Sequence, residues 1–105
     1  PSTILNHYIR IKIYTEKGKD DHGTVEIASG ARVSISDVAG RTLKQDGSIL
    51  ELKKDAIFER DLVKTKGLKL KGKSFALPGV EVGDVIEYRW KETRRDQLAD
   101  YIRLY

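Results

Sequence analysis

Phe75-Ala76-Leu77-Pro78-Gly79-Val80-Glu81-Val82-Gly83-Asp84-Val85-Ile86-Glu87-Tyr88-Arg89-Trp90 reads as strand, turn, strand. Pro78 fixes its own φ and donates no backbone hydrogen bond, so the strand that reaches Leu77 stops there. Gly79 and Gly83 accept positive φ at little steric cost, which predicts a bend on either side of Val80-Glu81-Val82. Asp84, directly after Gly83, is placed to accept hydrogen bonds from turn amides. Beyond it the alternation is clean: Ile86, Tyr88 and Trp90 on a core face, Glu87, Arg89 and Lys91 on a wet one. The only tryptophan marks the expected centre of the core.

Working outward, residues 4–15 form a long half-buried strand, with Leu5, His7, Ile9, Ile11 and Ile13 on one parity and Asn6, Tyr8, Arg10, Lys12 and Tyr14 on the other. Glu16 to Gly23 carries charge without periodicity and reads as a loop. Thr24–Ala28 is a short strand. Arg32–Leu43 is extended, but Val38 falls on the wrong parity from Val33 and Ile35, so a bulge near Ser36-Asp37 is expected. Gln45-Asp46-Gly47-Ser48 places Asp46-Gly47 between extended runs, the signal for a two-residue type I′ hairpin, with Leu43 opposite Leu50 and Thr42 opposite Glu51. Asp55–Val63 fits two helical turns or an irregular edge strand. Leu68 and Leu70 alternate with lysines, and the parity change before Phe75 suggests a kink or bulge at Gly72. Short strands, glycine turns and little helical periodicity predict an all-β, mainly antiparallel two-sheet β-sandwich, a single domain over residues 1–105. Tyr101–Tyr105 is strand-like and unpaired, which points to a piece of a longer protein and to self-association through that edge.

The chain of 105 residues is 39% hydrophobic and 34% charged, the composition of a globular domain with a heavily solvated surface. Cysteine is absent, which excludes disulfides, thiolate metal sites and a cysteine nucleophile within this chain. No apolar run approaches the roughly 18 residues of a membrane-spanning helix. The net charge of +4 is mild, and the lysine-rich region 53–73 reads as a solvated face, so nucleic acid is not the expected partner. Asp20-Asp21-His22 is too local to converge on a metal. His7 lies among isoleucines. No serine stands in a Gly-x-Ser-x-Gly context, and Glu81, Asp84 and Glu87 read as turn and wet-face residues rather than a facing pair. No catalytic residue, cofactor or metal is therefore expected. Pro78, Gly79, Gly83 and Asp84, with Asp46 and Gly47, are structural turn residues. Ile86, Tyr88 and Trp90 are core residues. Tyr8, Arg10, Lys12 and Tyr14 interleave aromatics with cations and are the candidate binding surface, for a neighbouring domain or for a glycan.

Arg41-Thr42-Leu43-Lys44-Gln45-Asp46-Gly47-Ser48, followed by Lys73-Ser74-Phe75 and the Phe-x-x-Pro-Gly-x-x-x-Gly-Asp-x-Ile-Glu-Tyr pattern ending at Tyr88, resembles the uncharacterised β-sandwich domain found ahead of transglutaminase-like domains in bacterial proteins. Gln45 stands where a proline often precedes the Asp-Gly. The resemblance implies an accessory domain that positions a downstream transglutaminase- or peptidase-like catalytic domain, in the periplasm or cell envelope. The alternative is a glycan- or polyanion-binding module using Tyr8, Arg10, Lys12, Tyr14 and the lysine-rich region 53–73.

Overall fold

The computed structural model describes residues 2–30, 32–63 and 69–95. Among them lie seven strands, all antiparallel, in two sheets. β1 (Ser2–Lys12), β7 (Val85–Arg95), β3 (Val33–Leu43) and β4 (Ile49–Glu51) form one sheet in the order β1-β7-β3-β4. β2 (Thr24–Ser29), β6 (Lys69–Ala76) and β5 (Phe58–Val63) form the second, in the order β2-β6-β5. Side chains from both layers meet in one core: Ile35 and Ile86 from the first sheet, Val25, Ile27 and Phe75 from the second, with Ile13 and Leu77 just beyond strand ends. The two-sheet antiparallel sandwich expected from the turn spacing is the fold observed.

The central stretch is built as two successive β-turns. Pro78 and Gly79 form the first, with Gly79 at φ 56°. Val82 and Gly83 form the second, closed by the Asp84 N–H donating to the Glu81 carbonyl at 3.1 Å, with Gly83 at φ 98°. Glycine is needed at both positions, because a side chain at that φ is strained. The second turn also holds the end of β1: Gly83 N–H donates to Ile13 O at 2.7 Å and Ile13 N–H to Asp84 O at 2.9 Å.

The bulge near Ser36-Asp37 is present. The register of β3 on β7 shifts between Ser36 and Ala39, and Asp37 takes φ 54°. Val38 consequently packs against the core.

Several expectations are corrected. Glu16–His22 is a short helix, α1, rather than a loop. Thr15 caps it by accepting from the Gly18 N–H at 2.9 Å, and Lys17 pairs with Asp21 at 3.0 Å. It buries no residue, so no apolar stripe marked it in the sequence. The hairpin pairs Leu43 with Ile49 and Thr42 with Leu50, one residue away from the expected register. Lys44 N–H donates to Ser48 O and Gly47 N–H to Lys44 O, so the loop has three residues. Gly47 takes φ 91° while Asp46 does not have positive φ, whereas a type I′ turn needs both. Asp46 instead accepts from the Ser48 N–H at 2.9 Å and the Ser48 hydroxyl at 2.6 Å. β6 passes through Gly72 with no change of register against β2 or β5, so there is no bulge there. The undecided region 54–67 is, over its described residues, a 3-10 turn, Lys54–Ala56, followed by β5; its residues 64–67 lie outside the described ones. The expected strand at Tyr101–Tyr105 lies outside the described residues.

The core is centred on Phe75, Ile13 and Ile86, not on Trp90. Burying each of these three stabilises the fold by about 2 kcal/mol. Trp90 is half-buried at the rim of this cluster. His7 stacks on its ring at 4.7 Å between centroids and Tyr88 at 5.9 Å, while Phe75 meets Tyr88 edge-on.

Candidate functional site

Strand parity and register together put a row of charge across the outer face of the four-stranded sheet. Arg10 of β1 is opposite Glu87 of β7, Glu87 is opposite Arg41 of β3, and Arg41 is opposite Glu51 of β4. Positive and negative side chains therefore alternate along one line crossing all four strands. One row further along β7, Tyr8 and Ala39 flank Arg89.

Glu87 is the hub. It was expected to be a wet-face residue, yet it is only 5% exposed. Its Oε1 accepts from Arg41 Nε at 2.7 Å, and its Oε2 accepts from Arg10 Nη1 at 3.1 Å and from the Tyr8 hydroxyl. The three side chains that bond it also cover it. Alternation alone cannot see this, because the shielding comes from neighbouring strands rather than from the other sheet. Arg10 and Arg41 keep about half of their side-chain surface in water, at 56% and 44%, so each still offers free N–H donors. Arg89 and Glu51 are exposed and form no ion pair among the described residues. A cavity of about 400 Å³ opens between these groups, lined by Tyr8, Arg41, Glu51, Glu87 and Arg89 with Ala39 and Gly40 at its base. The arrangement can receive carboxylates on planar guanidinium forks.

Of the four residues expected at a binding surface, Tyr8, Arg10 and Lys12 share this face. Tyr14 is 76% exposed and lies past the end of β1. The lysine-rich region 53–73 does not join them as one surface. Lys71 and Lys73 stand on the other sheet, Lys73 paired with Glu59 at 3.3 Å, and Lys64 and Lys66 lie outside the described residues. Arg41, Glu87, Arg89 and Glu51 were not singled out as binding residues. Their signal was the cross-strand register, which the sequence did not give.

The turn residues converge on a second cluster. The Lys44 ammonium donates to Gly79 O at 2.6 Å, to Glu81 Oε1 at 2.7 Å and to Asp84 Oδ2 at 2.5 Å. Asp84 is 2% exposed and also accepts from the Glu81 N–H at 2.9 Å. Burial pushes the Asp84 carboxyl up, but the hydrogen bonds from Lys44 and the Glu81 amide, with the Gln45 N–H, outweigh it and hold the group below its ordinary range. Lys44 is raised, chiefly by its bond to Asp84 and then by Glu81. Gln45 adds a further tie, donating from Nε2 to Val82 O at 3.0 Å. Lys44 was missed because nothing in the sequence places the β3–β4 hairpin beside the Pro78–Gly83 turns.

On the inner face, a wider groove of about 550 Å³ runs between the sheets, lined by Ile9, Ile27, Val33, Tyr88, Trp90 and Glu92 among others. Glu92 bonds His7 at 2.8 Å and also Arg94. Arg94 first, then His7, hold its carboxyl below the ordinary value. These groups satisfy one another, while the Trp90 indole N–H is buried without a partner among the described residues. Asp20, Asp21 and His22 lie on α1, and no group of three metal-ligating side chains occurs among the described residues. No helix among them is long and apolar enough to cross a membrane.

A comparison with curated protein sequences finds no match. Among solved structures, a protein from Parabacteroides distasonis described as a "putative protease" is similar to this chain, with a TM-score of 0.74 at 16% identity. The similarity covers 90% of this chain and 20% of that one, so the chain spans about a fifth of that protein's length. At this identity the likeness shows a shared fold. A family model described as a domain of unknown function with a solved structure, DUF3857, matches residues 2–101. With nearly all of its length matched, the chain belongs to the DUF3857 family of β-sandwich domains.

Proposed function

We propose that this chain is a non-catalytic accessory domain that packs against and positions a catalytic domain of the transglutaminase or peptidase kind. The observation that carries the reading is the length relation: the same sandwich occupies a fifth of a longer protein that bears a protease name. Two features of the chain support it. Its best-organised polar cluster outside the turns is a set of guanidiniums around a saturated carboxylate, suited to contact rather than turnover. The Lys44–Asp84 ion pair is consumed in holding turns together. The resemblance in sequence favours an exported protein of the cell envelope.

The test is a comparison of the natural protein containing residues 1–105 with a form lacking them. Loss of the domain is expected to lower the melting temperature of the remainder, its turnover, or both. Unchanged stability and turnover would refute the accessory role. The rival reading, a glycan- or polyanion-binding module, retains Tyr8 at 59% exposure beside the arginine-lined cavity. Lys71 and Lys73 of its lysine-rich region stand on the opposite sheet, away from that cavity.

A further inference from the structure

We propose that the outer face of β1-β7-β3-β4 is a docking surface for a mainly acidic protein surface, with Arg10, Arg41 and Arg89 each receiving a carboxylate and Glu51 receiving a base. The proposal rests on the accessory reading, since it takes the occupant to be the catalytic domain beside this one.

Charge is the first argument. Arg10, Lys12, Arg41, Arg89 and Lys91 stand on this face against Glu51, Glu87 and Asp37, so it carries a cationic excess. Glu87 is saturated by Tyr8, Arg10 and Arg41, and Asp37 is paired with Lys91 at 3.6 Å. Arg89 is left without an ion pair among the described residues.

Preorganisation is the second. Arg10 and Arg41 are each fixed by one bond to the same buried carboxylate, which spends a single donor of the five that a guanidinium carries. Their planes are therefore held before a partner arrives, and less side-chain entropy is lost on docking.

The pattern decides the class of partner. A uniform polyanion laid across the row would meet Glu51 at the sheet edge as well as the arginines. A folded protein surface can present carboxylates to the arginines and a lysine or arginine to Glu51, matching each sign. The cavity over Ala39 and Gly40 leaves room for a projecting acidic side chain between Arg41 and Arg89.

Arginine footprinting tests this directly. The 105-residue chain and the natural protein containing it are treated with phenylglyoxal, and modification at each arginine is read by mass spectrometry. Arg10, Arg41 and Arg89 are expected to react in the isolated chain and to be protected at least several-fold in the longer protein, while Arg60 on the other sheet reacts alike in both. Arg89→Glu in the longer protein is expected to abolish protection at Arg10 and Arg41. Because Arg89 is exposed and holds no ion pair among the described residues, this variant should leave the isolated chain folded. Equal reactivity of the three arginines in both proteins would overturn the proposal, as would protection that persists in Arg89→Glu. Protection of the isolated chain by polygalacturonate, with none in the longer protein, would also overturn it in favour of a glycan site. Should deleting the domain impair the enzyme while footprints stay equal, the accessory role stands and this face is wrong. Should deletion change nothing, the accessory reading itself falls.

Discussion

Asp84 and Lys44 show how a single buried pair can decide the behaviour of a whole end of the molecule. The Asp84 carboxyl is held below its ordinary value of 3.8, so its contribution is complete at neutral pH and is lost as pH falls through the lowered folded-state value. Lys44 is raised above 10.5, so its contribution is complete below that value and is lost as pH rises through the folded-state one. Stability carried by the pair should therefore form a plateau between an acid limb and an alkaline limb. Asp84→Asn is expected to cost about 2 kcal/mol at pH 7 and to flatten the acid limb, measured by thermal melts across pH 2–7. Thr42 makes the opposite case. Its hydroxyl is buried with no partner among the described residues, and the residue is fully buried. Thr42→Val removes an unsatisfied polar group at nearly constant shape, and chemical denaturation should show a gain of about 1 kcal/mol.

At the scale of the element, β3 is packed tightly at Gly40. A Cβ added at Gly40 would stand 3.0 Å from Leu77 Cδ1 and 3.3 Å from both Glu87 O and Tyr88 Cβ. Gly40→Ala should therefore destabilise by about 1–3 kcal/mol, the cost of overpacking a close strand contact. The bulge has a different weakness, since Asp37 adopts a left-handed conformation and its pairing with Lys91 is largely exposed. Asp37→Gly should raise stability by about 0.5–1 kcal/mol in urea melts. How much of these elements the sequence disclosed follows from where each signal arises. The bulge was legible because Val38 broke a parity that the core enforces. The strand ends at Pro78 and Gly79 were legible because their φ demands are local. Helix α1 was not, because its stability comes from a cap and charge pairs rather than an apolar stripe. The hairpin slipped by one residue because Asp46 bonds Ser48 instead of taking positive φ, a choice between two local solutions with the same sequence signature.

For the whole molecule, the fold class was readable and the candidate site was only half so. Tyr8, Arg10 and Lys12 announced themselves by alternation along one strand. Arg41, Glu87 and Arg89 belong to the same face only because β7 pairs with both β1 and β3, a long-range fact that no local pattern encodes. Trp90 misled for a related reason: it lies on the core side of its strand, but the sheets part beside it and leave a groove. Phe75 carries the central role instead, and Phe75→Ala is expected to cost about 3–5 kcal/mol, enough to abolish most of the cooperative melt of a domain this size.

The Lys44 tie has a practical consequence for anyone remodelling the domain. Exposed hairpin tips are usually the safest places to splice in a foreign peptide or to relocate the termini. Here the 45–47 tip and the 79–83 link clasp each other through one ammonium and the Gln45 amide, so lengthening either would pull its counterpart out of place. Helix α1, none of whose own residues is buried, is the better splice point.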